Sequence, residues 1–193
     1  MKSRLAILGA GLLVAEVTLI LISWILSATM TGDVRTLLSG EGLRWFFSNF
    51  TDMLASPPMA WLVLLLMAMG CMRKSGILNR QQSYRDRMAL RMAAAFLLIY
   101  IVIILLLTLL PHAILLSATG SLFPSAFSSS LLPIVAFGLV LVSVSFGIMS
   151  GRLRTLEDIL ESLSDGIRRG APLFILYVLL IQFVASLRFV FWL

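Results

Sequence analysis

The sequence predicts an all-α integral membrane protein. It has five transmembrane helices, N-terminus inside and C-terminus outside, and two interfacial amphipathic helices in an inverted-repeat-like arrangement. Three observations lead there. Of 193 residues, 60% are hydrophobic and 12% charged, against about 25% charged in a soluble domain. Five apolar stretches, residues 5–29, 57–72, 92–111, 131–150 and 171–193, approach the length of about 20 residues that a span requires. Lys and Arg alternate between the connecting segments, as the positive-inside rule demands. The intervening segments are too short for a soluble domain, so residues 1–193 are expected to form one membrane domain.

The first stretch follows "MKSR". A signal-peptide core runs about 7–15 residues. This run is longer, and an uncleaved helix is expected. Glu16 falls near its middle. An ionised carboxylate in lipid costs roughly 2.5–3.5 kcal/mol on insertion scales, so Glu16 must face protein or water, or carry a proton. Two readings stay open: a proton or cation site, or one member of a structural hydrogen bond.

The next segment reads "LLSGEGLRWFFSNF". Leu43, Phe46, Phe47, Phe50 and Leu54 recur at helical spacing, and Arg44, Ser48, Asn49, Thr51 and Asp52 fill the opposite side. This predicts an interfacial helix over 42–54 with Trp45 at headgroup depth. Gly40 and Gly42 allow a sharp entry, and Pro57 and Pro58 end it and open span two. Cys71 is the single cysteine, which excludes an internal disulfide. It sits beside Arg73 and Lys74, where acylation is conceivable, but an inert lipid-facing or packed thiol is the plainer expectation. Met67, Met69 and Met72 read as packing residues.

Arg73, Lys74, Arg80, Arg85, Arg87 and Arg91 separate spans two and three, and Arg152, Arg154, Arg168 and Arg169 separate spans four and five. With Lys2 and Arg4 they hold one side of the membrane; Arg35 and Arg44 lie on the other. The net charge of +6 is thereby explained by orientation, without nucleic acid. His112 follows Pro111 with no second ligand near it, so it reads as a loop residue. Ser143, Ser145 and the Gly147-x-x-x-Gly151 spacing in span four permit close helix packing.

A second amphipathic segment is "TLEDILESLSDGIRR", residues 155–169. Leu156, Ile159, Leu160, Leu163 and Ile167 form its stripe. Thr155 and Asp158 have capping-box spacing, with acids first and Arg168 and Arg169 last, as the helix dipole prefers. Gly170 and Pro172 are expected to break it before span five. In that span Gln182 lies at mid-depth and could pair with Glu16, while Arg188 can snorkel outward. The candidate intramembrane polar residues are therefore Glu16, Gln182 and Arg188.

Span, outer amphipathic helix, span; a connecting span; then span, inner amphipathic helix, span: the two halves repeat in opposite orientation, a plan common in secondary transporters. The sequence contains no Gly-x-Ser-x-Gly, no His-Glu-x-x-His and no phosphate loop. No catalytic residue, cofactor or metal site is expected, and the protein is not expected to be an enzyme.

Two blocks resemble the AbgT family, the p-aminobenzoyl-glutamate transporters. The first is "LLSGEGLRWFFSNFTDMLASPPMAWLVLLLMAMGCMRKSGIL". The second is "FPSAFSSSLLPIVAFGLVLVSVSFGIMSGRLRTLEDILESLSDGIRRGAPLFILYVLLIQFVASL", with an apolar span, a glycine turn, an interfacial helix and a Gln182–Phe183 pair. The resemblance implies secondary transport, a homodimer and a multi-pass place in the bacterial inner (cytoplasmic) membrane. Family members are longer and carry substrate and ion sites on re-entrant hairpins. Such a hairpin should follow "SGIL", where this chain has the basic loop "NRQQSYRDRMALR"; a second should follow span five, where the chain stops. The expectation is a frame resembling the family's inner, dimer-forming part, with no substrate residue to carry over. It would join a second membrane protein supplying the transport core, or serve only in assembly. Docking of a cytoplasmic or envelope partner, and autonomous transport by a small transporter, are the alternatives.

Overall fold

The computed structural model describes residues 2–29, 34–79, 83–109 and 126–191. Its elements are α1 (Lys2–Thr29), α2 (Gly40–Leu54), α3 (Pro57–Ser75), α4 (Tyr84–Leu109), α5 (Ala126–Ser150) and α6 (Leu156–Phe191). No strand occurs among the described residues. Four helices, α1, α4, α5 and α6, are long and apolar enough to cross a membrane. The bent pair α2 and α3 raises the number to five if it counts as one span. His112, Arg80 and residues 110–111 and 192–193 lie outside the described residues.

One expectation is overturned here. Residues 155–169 and 171–193 are not separate elements: α6 runs unbroken from Leu156 to Phe191, with Pro172 inside it. Proline removes one backbone donor, so a single carbonyl, that of Arg168, loses its helical partner. Helices with apolar faces tolerate that loss when other groups re-satisfy the backbone. At 1.5 Å per residue, α6 is about 54 Å long, beyond the roughly 30 Å of a hydrocarbon core. In the same way α5 starts at Ala126 and carries Pro133 inside the helix, where the sequence places the start at 131.

The chain divides into two compact units, Met1–Met59 with Gly170–Leu193, and Ala60–Arg169. In the first, α1 and the later part of α6 enclose a core of Leu19, Leu37, Phe189 and Val190, with Val34 and Trp45 packed on it. The segment before α2 is tied down by its backbone. Arg35 N–H donates to the Val190 carbonyl (3.3 Å), and Leu37 N–H donates to the Ser23 hydroxyl (3.4 Å). Ser39 caps α2 by accepting from Gly42 N–H (3.0 Å). A Cβ on Gly42 would lie 2.6 Å from the carbonyl oxygens of Thr36 and Leu37, whereas one on Gly40 would meet nothing within 4 Å. The sharp entry therefore depends on Gly42. Trp45 stacks on Phe189 with ring centroids 4.4 Å apart, while Phe47 and Leu43 on the same helix are exposed. Ser56 and Tyr177 share a hydroxyl–hydroxyl hydrogen bond.

In the second unit α4 and α5 pack together along their length over Ala89, Ala93 and Phe146. α3 meets the first part of α6 at two glycines. A Cβ on Gly166 would run into the Leu66 carbonyl, and one on Gly70 would run into the backbone of Ser162 and Gly166. Cys71 is fully buried at this crossing, its Sγ 3.2 Å from the Ser162 hydroxyl, so it is a packed thiol. Gly147 and Gly151 have a different use from the helix packing expected of them. Gly151 has φ +75, and Arg152 and Leu153 N–H groups donate back to the Gly147 carbonyl (2.9 and 3.0 Å). The bare Gly147 leaves room for Leu153 to fold over it. That is a helix C-terminus closed by a left-handed glycine and an apolar contact.

Candidate functional site

Two of the three intramembrane polar residues named from sequence, Glu16 and Gln182, are linked in the first unit through a residue the sequence did not single out. Ser186, fully buried, donates its hydroxyl to Glu16 Oε1 at 2.6 Å. Gln182, one turn earlier on α6, donates its amide to the Ser186 oxygen at 3.2 Å. Gln182 thus supports Glu16 through Ser186, not by direct contact. Ser186 could have been found from its i+4 spacing to Gln182, which puts both on one face of α6. Glu16 Oε2 is buried and has no protein donor within hydrogen-bond distance. Arg188 makes no ion pair with Glu16; it is exposed in the last turn of α6, where a cation opposes the helix dipole favourably.

A second polar cluster joins helix ends in the other unit. Arg152 donates to the Ser75 carbonyl (2.8 Å) and to Asp86 Oδ2 (3.1 Å), and its guanidinium lies 5.6 Å from the Phe146 ring centre. Asp86 also accepts from Ser83 N–H (3.3 Å), so one carboxylate serves the start of α4 and the arginine. Arg85 donates to the Met149 carbonyl (3.2 Å), and Lys74 pairs with Glu161 (2.6 Å). Sequence reading used these cations only to orient the chain. Their bonding to other helices carries no local signal, because the partners are distant in sequence or are backbone carbonyls.

The chemistry available is that of hydrogen bonding and protonation. Among the described residues no group of three or more His, Cys, Asp or Glu side chains is placed to hold a metal ion. A cavity of about 340 Å³ between α4 and α5 is lined by apolar residues including Leu97, Ile104, Ile134 and Val142, with Tyr100. The Tyr100 hydroxyl is committed to the Ile134 carbonyl (2.9 Å).

No curated protein and no solved structure matches the chain. The model of the AbgT transporter family does, over residues 81–190, more than half of the sequence. That range spans α4, α5 and nearly all of α6 and contains the second of the two blocks that resemble the family. The stretch 37–78, the other block, lies outside it. On that match the chain belongs to the AbgT transporter family.

Proposed function

We propose that this protein is a membrane frame for an AbgT-type transport system, a homodimer in the bacterial inner membrane that holds a transport core supplied by a second membrane protein. The observation that carries this reading is how the second unit uses its polar side chains. Arg85, Lys74 and Tyr100 bond helix to helix, Arg152 ties the turn between α5 and α6 to Ser75 of α3 and Asp86 of α4, and the cavity between α4 and α5 has an apolar lining. Secondary transporters place substrate on broken helices with exposed backbone and polar groups at mid-membrane. The helices α4, α5 and α6 are each continuous.

The unit division supports inverted halves. In the repeat expected from sequence, α1, α2 and α3 correspond to α5 and the two parts of α6. The first unit holds α1 and α2 with the later part of α6. The second holds α5 and the earlier part of α6 with most of α3, and adds α4. Each unit thus contains the first two elements of one half and the third of the other, the exchange expected of intertwined repeats. The basic segments between α3 and α4 and around 152–169 face the cytoplasm in this reading.

The test is purification in mild detergent with native mass spectrometry, followed by reconstitution. A dimer that copurifies with a hairpin-bearing membrane protein is expected, with flux of p-aminobenzoyl-glutamate-like acids only when both are present. Flux by this chain alone under a sodium or proton gradient would replace the frame with an autonomous small transporter. The exposed Leu156 and Leu160 beside the basic segments favour a second reading, an assembly protein that docks a partner. A copurifying soluble or envelope protein would support it.

A further inference from the structure

The cavity of about 340 Å³ between α4 and α5 is an open groove. Ile101, Leu105 and Val135 line it and are about half exposed. Gly138 adds no side chain to its wall, and a Cβ there would lie 3.1 Å from the Tyr100 ring. The Tyr100 hydroxyl is already taken by the Ile134 carbonyl. Both helices are candidate membrane spans, so the groove opens toward lipid and suits an apolar occupant.

Two cations stand above it. Arg87 and Arg91 are exposed and one turn apart on α4. Among the described residues their side chains make no ion pair or hydrogen bond. The one carboxylate of α4, Asp86, is buried and held by Arg152. Arg85 is bonded to the Met149 carbonyl. Arg91 is the last charged residue of α4, so it marks where the helix enters hydrocarbon.

The heights and faces agree. Leu97 and Leu105 are the first and last α4 residues of the groove, six and fourteen residues beyond Arg91. At 1.5 Å per residue the groove lies roughly 9–21 Å from Arg91 along the axis. One leaflet contributes about 15 Å, half of the hydrocarbon core, so a chain anchored at Arg91 reaches it. Leu105 follows Arg87 by 18 residues, about five full turns, which puts Arg87 on the groove's open side.

We propose that this groove with Arg87 and Arg91 is a binding site for an anionic phospholipid. One acyl chain fills the groove, and the two guanidinium groups hold the phosphate, whose oxygens match their planar forks. A zwitterionic headgroup carries its own ammonium beside the phosphate; an anionic one leaves the charge to the arginines. A helix of a second copy could cover the groove but would leave both arginines without an anion. The site does not rest on a frame or transport role, and an absence of flux would leave it untouched.

The test is photo-crosslinking of the full chain in phosphatidylcholine liposomes containing phosphatidylglycerol with a diazirine in one acyl chain. Adducts are expected within 97–105 and 134–142. Unlabelled phosphatidylglycerol should suppress them far better than added phosphatidylcholine. Near a surface each Lys or Arg contributes about a tenfold or smaller preference for anionic lipid, so Arg87→Gln with Arg91→Gln should cut that preference about tenfold or more. Arg73→Gln with Arg168→Gln removes the same charge elsewhere in the unit and should leave it intact. Val135→Trp, filling the groove from its rim, should lower the adduct yield with both arginines present. If a variant fails to fold, the wild-type competition decides alone. Equal suppression by the two lipids would reduce the groove to ordinary lipid contact and overturn the proposal. So would adducts confined to other helices, or equal losses in the two double variants. Suppression by soluble glycerol phosphate as strong as by the lipid would also overturn it, since the groove would then contribute nothing.

Discussion

At the residue scale, the glycines of this chain differ sharply in what they do. Gly166 lies where the backbones of α3 and α6 touch, whereas Gly11 on α1 has nothing within 4 Å of a Cβ position. Gly166→Ala must push α6 off the Leu66 carbonyl, an overpacking that costs about 1–3 kcal/mol. Gly11→Ala should be neutral or stabilise by up to about 1 kcal/mol, from helix propensity alone. Cys71, the single cysteine, reports the difference because it is buried at the same crossing. Thiol alkylation during a thermal ramp in detergent should begin at a lower temperature for Gly166→Ala and at an unchanged or higher one for Gly11→Ala. The sequence could not single out Gly166. It sits in a segment whose obvious feature is a leucine stripe, and close approach shows only once the partner helix is known. Glu16 was legible for the opposite reason: a carboxyl inside an apolar run is conspicuous whatever surrounds it.

At the element scale, helix ends were easier to read than helix continuity. Thr155 and Asp158 form the reciprocal cap their spacing suggests. The Asp158 N–H donates to the Thr155 hydroxyl (3.1 Å), and the Thr155 N–H donates to the Asp158 carboxylate (3.0 Å). Gly170 and Pro172 misled because their helix-breaking tendency is a weak local preference, which packing along a long apolar helix outweighs. The turn from α5 to α6 depends on Arg152, which reaches the last carbonyl of α3 and the first turn of α4. Lysine at this position has one compact ammonium and cannot present the same planar fork to both. Arg152→Lys should lower stability by about 1–3 kcal/mol, the range for hydrogen bonds to charged groups. The lower half of that range is expected because the side chain is 31% exposed. Arg154→Lys is the control: among the described residues its side chain donates only to the neighbouring Gly151 carbonyl, and its effect should stay within about 0.5 kcal/mol. Thermal unfolding of the two variants in detergent measures the gap.

At the scale of the whole molecule, the boundary between water and lipid along α6 follows from its faces. Ser162 and Gly166 face α3 and are buried. Glu157, Glu161 and Arg168 are exposed on the charged side. Leu156 and Leu160, 83% and 66% exposed, belong to the apolar stripe. A helix with small, apolar and charged faces lies stably at an interface when the apolar face enters lipid and the charged face stays in water. Because α6 is longer than the hydrocarbon core is thick, this first part is the section that can sit there. Variants that add one cysteine read the boundary directly, since the native Cys71 is buried and the wild type supplies its background in lipid and in urea. In liposomes accessible from both sides, Arg168→Cys should react rapidly with a membrane-impermeant maleimide. Leu156→Cys and Leu160→Cys should react slowly despite their exposure in the isolated chain, and should speed up when lipid is replaced by urea. Equal rates at all three positions in liposomes would place the stripe in water. The exposed leucines would then be a surface left open for a protein partner, and the assembly reading would gain over the frame.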